Sequence, residues 1–211
     1  MGDCTIEPLP NVLIFDDICD ISLLDKAYTY AKQRGTASYD FYHKDNSSPD
    51  KDPCFQSMKD LVYDVWVNKI NFLLPKSYSG WEIWHNRMDA GDDLPYHIDV
   101  DEKADKMSTP YLSCVIYLGS NKSIKGGSLN LNATSAEHSI KPEKTPLIVP
   151  FRYNRVIIFK ACVHWVSPVR ELPSSDDPRV SLSCPLWEEA IEPIAKHGEH
   201  HTEVSWLPKK T

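Results

Sequence analysis

Beyond Pro75 the sequence breaks into short β-branched and aromatic runs separated by Gly, Asn, Asp and Pro turns, and no other feature constrains the fold as strongly. Nine strands are expected, near residues 81–88, 95–100, 111–118, 127–131, 137–140, 146–149, 155–160, 163–169 and 179–187. Strands this short cannot each bury a face alone. Two sheets packed face to face, as in a sandwich or jelly roll, give every strand one covered side.

The first 75 residues read differently. The run Asn11-Val12-Leu13-Ile14-Phe15 ends in Asp16 and Asp17, a strand leading into a helix that Asp17 or Asp20 can cap. Ile21, Leu24, Tyr28 and Ala31 recur at spacings of three and four, one face of a helix that Gly35 should stop. A second helix is expected over about 57–74, burying Met58, Leu61, Val65 and Trp66 and ended by Pro75. Residues 36–53 are polar and lack a period, so they read as a mobile loop that folds over the site when substrate binds. The fold class is therefore mainly β with flanking helices, the two N-terminal helices lying outside the sheets. One domain is expected over 1–211: a helical part to about 75, a β core over about 80–190 and a polar tail over about 197–211.

A formal net charge of −7, with scattered lysines, would repel a phosphate backbone, so nucleic acid is excluded as the expected partner. No apolar run approaches the roughly 18 residues that span a bilayer, so no membrane span is expected. The start, Met1-Gly2-Asp3-Cys4, lacks a basic region followed by an apolar stretch. A cytoplasmic location is the reading. The six cysteines are widely spaced without a Cys-x-x-Cys pair, which reads as buried free thiols rather than disulfides.

Chemistry concentrates at three places. In Tyr96-His97-Ile98-Asp99, residues two apart on a strand share a face, so His97 and Asp99 can grip one metal ion. His164 follows Arg155-Val156-Ile157-Ile158-Phe159-Lys160, a core strand, and reads either as a core histidine beside Trp165 or as a second imidazole for the same ion. Two imidazoles and one carboxylate on one face of an octahedral ion leave three positions open, which suits Fe(II) and oxygen chemistry. In Pro178-Arg179-Val180-Ser181-Leu182-Ser183, alternation puts Arg179, Ser181 and Ser183 on one face and Val180, Leu182 and Cys184 on the other. An arginine fork beside a hydroxyl is a receptor for a carboxylate. The ordinary alternative is a surface salt bridge from Arg179 to Asp176 or Asp177. His85 is placed near the pocket mouth, while His43, His138, His197, His200 and His201 fall in polar, solvated stretches.

Taken in order, His97-x-Asp99, His164 and Arg179-x-Ser181 resemble the Fe(II)- and 2-oxoglutarate-dependent oxygenase superfamily. Lys125-Gly126-Gly127-Ser128-Leu129 resembles the Gly-Gly-x-Leu strand that many members carry between the two histidines, and the strand-to-helix entry through Phe15-Asp16-Asp17 is similar to the prolyl-4-hydroxylase-like branch. The resemblance implies a double-stranded β-helix, the jelly roll, with iron at His97, Asp99 and His164. It implies that 2-oxoglutarate chelates iron while its far carboxylate meets Arg179 and Ser181, and that O2 completes the cosubstrates, with ascorbate a helpful reductant. Decarboxylation to succinate then accompanies oxidation of a substrate C–H bond. Two departures stand out. The second arginine of the nucleic-acid-demethylating branch is replaced by Pro185, and the tyrosine that precedes the first ligand in prolyl hydroxylases is missing. Asn86, Arg87 or Tyr117 could replace that tyrosine, and strand parity with Tyr111 favours Tyr117.

A chain barely larger than such a catalytic core points to a small-molecule substrate, an amino acid or similar polar metabolite. Peptidyl or prolyl hydroxylation is the second enzymatic reading. A cupin-like metal-binding module without 2-oxoglutarate chemistry, in which Arg179 is structural, is the reading of another class. Substrate, reaction outcome and oligomeric state are left open by the sequence.

Overall fold

The computed structural model describes residues 11–34, 40–44, 53–101, 108–119, 124–132 and 145–189, with side chains from 11–34, 44, 55–101 and the later segments. β1 (Val12–Asp16) leads into α1 (Ile21–Gln33), whose first turn is closed by the Asp20 carboxylate accepting from the Leu23 amide at 3.0 Å. The buried stripe of α1 is Leu24, Ala27, Tyr30 and Ala31: Leu24 and Ala31 are buried as expected, whereas Ile21 is exposed and Tyr28 only half-buried.

The expected loop over 36–53 contains a strand, β2 (Asp40–His43), followed by a turn at Lys44, and residues 36–39 and 45–52 lie outside the described residues. Then α2 (Pro53–Tyr63) continues into a π-helical turn (Asp64–Lys69) and a 3-10 turn (Asn71–Leu73). Met58, Leu61, Val65 and Trp66 are all fully buried, as expected, and Trp66 Nε1 donates to the Cys184 carbonyl at 3.1 Å.

Eleven further strands follow among the described residues: β3 (Gly80–Met88), β4 (Leu94–His97), β5 (Ser113–Leu118), β6 (Lys125–Gly126), β7 (Leu129–Leu131), β8 (Leu147–Val149), β9 (Arg155–Phe159), β10 (His164–Val166), β11 (Val169–Glu171), β12 (Arg179–Ser183) and β13 (Leu186–Trp187). The strand expected over 163–169 divides at Pro168, and the one over 179–187 divides at Pro185, since proline cannot donate to a ladder. The strand expected over 95–100 stops at His97, and the one over 137–140 lies outside the described residues.

Two antiparallel sheets carry the architecture, a jelly roll. The larger has the order β1-β9-β5-β12-β3-β13, with β2 also paired to β3; the smaller runs β4-β10-β7-β8. Strand alternation divides the core into two layers. Cys114, Ile116 and Leu118, with Val180, Leu182 and Cys184, face the helices. Val115 and Tyr117 of β5, with Ile157 and Phe159 of β9, face the smaller sheet and meet Leu129, Leu131, Val149 and Val166. The site lies in this second, intersheet layer. Cys19, Cys114 and Cys184 are buried free thiols, as expected, while Cys162 is only partly buried; Cys4 and Cys54 lie outside the described side chains. Among the described residues no helix is long and apolar enough to cross a membrane.

Candidate metal centre

The smaller sheet brings the two histidines together. In the β4–β10 ladder His97 stands opposite His164, so both side chains leave the same face and their ring centroids lie 4.1 Å apart. Each imidazole is held in the same way: His97 Nδ1 meets the Pro95 carbonyl at 2.8 Å, and His164 Nδ1 meets the Cys162 carbonyl at 2.9 Å. A carbonyl can only accept, so both Nδ1 atoms carry the proton and both Nε2 lone pairs point away from the backbone. Burial, followed by the His164 imidazole, pushes His97 down to about 4, against the weaker upward pull of Asp99 and the Pro95 carbonyl. At neutral pH His97 is therefore uncharged, the form in which Nε2 can bind a metal.

Asp99 completes the group. Its Oδ1 lies 3.9 Å from His97 Nε2 and 3.7 Å from His164 Nε2, and the three ligand atoms fall within 4.8 Å of one another. The expected reason for this proximity needs correction, because Asp99 lies two residues beyond the end of β4 and strand alternation does not aim it. The Ser113 hydroxyl, reaching across from β5, donates to Asp99 Oδ2 at 2.9 Å. His164 is buried, with Phe159 edge-on at 5.2 Å, while His97 and Asp99 are partly open.

Arg179, at the start of β12, is 1% exposed. Its Nε donates to the Gly127 carbonyl at 2.8 Å, and Nη1 reaches Ser181 Oγ at 3.3 Å and Met88 Sδ at 3.2 Å. The guanidinium lies over the Tyr117 and Phe151 rings, 5.1 and 5.6 Å from their centroids, and those rings stack at 4.8 Å. Burial pulls its pKa below the ordinary arginine value, with Tyr117 opposing. Among the described residues no carboxylate touches it, so the salt bridge to Asp176 or Asp177 is absent; Asp177 accepts from Tyr28 Oη instead. A cation buried without an anion is costly, and the cost falls when an anion enters.

Tyr117 and Ser181 stand opposite each other in the β5–β12 ladder, which brings both to Arg179. The Tyr117 hydroxyl is already used, donating to the Val149 carbonyl and accepting from the Leu129 amide, each at 3.3 Å. Asn86 faces Ser181 from β3, on the same side of the sheet, whereas Arg87 faces Val180 on the other. His85 stands opposite Leu182 with Tyr30 edge-on to its ring, 0% exposed on the helical face of the sheet, so it is not at the pocket mouth. His138, His197, His200 and His201 lie outside the described residues, as does the His43 side chain.

The motif Gly126-Gly127 has a physical cause here. Both residues have positive φ, +77° and +63°, and a Cβ on Gly127 would lie 2.6 Å from Arg179 Cδ and 2.8 Å from Arg179 Nε. Gly127→Ala should therefore displace the guanidinium and add roughly 1–2 kcal/mol of backbone strain. A lower melting temperature together with weaker 2-oxoglutarate binding is expected; unchanged values for both would show that Arg179 is not held from this strand. Sequence reasoning missed three partners, Ser113, Met88 and Phe151, and gave Gly127 only as part of a motif without its contact to Arg179. A serine on the Tyr117 side of an otherwise apolar strand was the available signal for the first.

Comparison with known proteins agrees with this geometry. The family model for the 2OG-Fe(II) oxygenase superfamily matches residues 83–187. No curated protein matches the sequence significantly. Similar solved structures include an oxidoreductase of the 2OG-Fe(II) oxygenase family from Burkholderia pseudomallei, at 16% identity and TM-score 0.55, covering 86% of each chain. A prolyl-4-hydroxylase from Pseudomonas putida has 16% identity and TM-score 0.54, covering 87% of this chain and 88% of that one. A viral collagen prolyl hydroxylase from Paramecium Bursaria Chlorella virus-1, in complex with 2OG, has 12% identity and TM-score 0.53, covering 90% of this chain and all of that one. These likenesses speak for a common fold, and the family match takes in His97, Asp99, His164 and Arg179 together: the chain belongs to the 2OG-Fe(II) oxygenase superfamily.

Proposed function

We propose that this chain is a dioxygenase that uses Fe(II), 2-oxoglutarate and O2 to oxidise a C–H bond of a small polar molecule, an amino acid or a similar metabolite. The observation that carries the reading is the shared placement of two unlike features. A His97–Asp99–His164 group with both Nε2 lone pairs pointing away from the backbone and a buried Arg179 with no carboxylate partner among the described residues both face the intersheet layer. The donor set fits Fe(II), two neutral imidazoles and one carboxylate being the combination found with non-haem Fe(II) oxygen chemistry. The cation fits the far carboxylate of 2-oxoglutarate, with the Ser181 hydroxyl beside it.

Bound together, iron and 2-oxoglutarate supply oxidative decarboxylation coupled to attack on a substrate C–H bond. The chain's own residues prepare for it. The Pro95 and Cys162 carbonyls fix the histidine tautomers, and the Gly127 carbonyl with the Tyr117 and Phe151 rings fixes the arginine plane. Tyr117, the candidate for the missing tyrosine, packs its ring against the Arg179 guanidinium, and its hydroxyl also bonds the Val149 carbonyl and the Leu129 amide.

Peptidyl hydroxylation is the second reading, favoured by the prolyl hydroxylases among the similar folds. Succinate formation is the test, measured with Fe(II), ascorbate and 2-oxoglutarate against a panel of amino acids and short peptides. Stimulation by a free amino acid supports the first reading, and stimulation by peptides alone supports the second. Failure of 2-oxoglutarate to produce a metal-to-ligand absorption band with Fe(II) under anaerobic conditions would sink both and favour a cupin-like binding module.

A further inference from the structure

Asp99 poses a positioning problem. His97 and His164 are aimed by a ladder and tied by their own backbone, but Asp99 sits past the end of β4, where no strand register fixes its side chain. Either carboxylate oxygen could swing towards a metal, or both could bind at once. Ser113 resolves this from the opposite sheet. It stands across from Phe159 in the β5–β9 ladder, on the intersheet face with Val115 and Tyr117, and is 2% exposed. A hydroxyl buried among apolar neighbours is unfavourable unless paired, and this one donates to Asp99 Oδ2 at 2.9 Å. The other oxygen, Oδ1, is the one directed at both imidazoles.

We propose that Ser113 is a positioning residue: its hydroxyl holds Asp99 Oδ2 back, so that the carboxylate serves the metal through Oδ1 alone and the remaining positions stay open. The inference rests on the metal reading above and adds to it a division of labour between the two oxygens. It also links the sheets, because the bond joins the chain after β4 in the smaller sheet to β5 in the larger.

Titration of the apoprotein with Mn(II) alone, followed by calorimetry, tests it without turnover. Ser113→Ala should bind Mn(II) about 10- to 100-fold more weakly, the usual cost of losing the hydrogen-bond partner of a metal ligand. Ser113→Thr, which keeps the hydroxyl, should bind close to the parent. The Co(II) ligand-field spectrum should change in the alanine variant and not in the threonine one, a signature that a merely structural serine would not give. Should Ser113→Ala fail to fold, Ser113→Cys, of similar size and a weak donor, carries the same comparison. Parent-like Mn(II) affinity in the alanine or cysteine variant, with binding lost in Asp99→Ala, overturns the positioning role and leaves the metal site standing. Parent-like affinity in Asp99→Ala removes the metal site itself, and the proposal with it.

Discussion

Asp99→Ala should abolish turnover and leave the purified protein without tightly held Fe(II). Asp99 supplies the single negative charge in the group, and its Oδ1 faces both imidazole nitrogens at under 4 Å. Without it, two neutral imidazoles face a divalent ion with no charge to offset it. The loss should go well beyond the roughly 10- to 100-fold that follows removal of an outer partner of a ligand. The fold should survive, because Asp99 lies outside every strand and, besides the two imidazoles, its partner among the described residues is the Ser113 hydroxyl. His97→Ala and His164→Ala should be equally inactive but are less clean tests. His164 is buried against Phe159, so its removal also opens a cavity in the intersheet layer. Iron content by elemental analysis, set beside circular dichroism of the apoprotein, separates the two effects. Near-normal iron content and activity in Asp99→Ala would sink the triad.

Where local alternation carries the information, the sequence was readable. Arg179, Ser181 and Ser183 against Val180, Leu182 and Cys184 is a period of two that survives folding unchanged, since β12 is central and both faces are covered. The meeting of His97 with His164 is different in kind. It depends on which strands pair, and the β4–β10 register joins positions far apart in the chain. The residues alone left His164 open between a core histidine and a second ligand, and the resemblance to a known family favoured the ligand.

Asp99 shows the opposite case, a residue that the structure does bring beside the two histidines, but not for the expected reason. Strand parity was expected to place it, but β4 stops at His97 and a serine from the other sheet does the holding. β2 was missed because its sequence, Asp40-Phe41-Tyr42-His43, sits in a polar stretch and takes strand geometry only by pairing with β3. The π-helical turn over Asp64–Lys69 was equally hidden, since a single widened turn leaves the apolar spacing around Val65 and Trp66 nearly unchanged. His85 reads as polar from the sequence, yet it lies buried in the helical layer because its parity on β3 leaves no other direction.

Arg179→Ala should raise the KM for 2-oxoglutarate by at least roughly 30-fold, the equivalent of ~2–5 kcal/mol for losing a charge-assisted contact in a buried site. The reasoning turns on what else could take the role. Arg155 is held by Asp16 at 2.7 and 2.9 Å, Arg87 is paired with Asp89 at 3.3 Å, and Arg170 is exposed. Arg179 is buried, with Ser181, Tyr117 and Phe151 around it and no carboxylate among the described residues in contact. Iron binding should be unaffected, because none of the three proposed ligands touches Arg179. Arg179→Lys should recover only part of the affinity: an ammonium keeps the charge but lacks the planar fork that meets the Gly127 carbonyl through Nε and still leaves nitrogens for an incoming carboxylate. Anaerobic titration of the Fe(II) protein with 2-oxoglutarate, followed by its absorption band, reads the effect apart from turnover. An alanine variant that binds 2-oxoglutarate as tightly as the parent would assign Arg179 to structure and move the carboxylate anchor elsewhere.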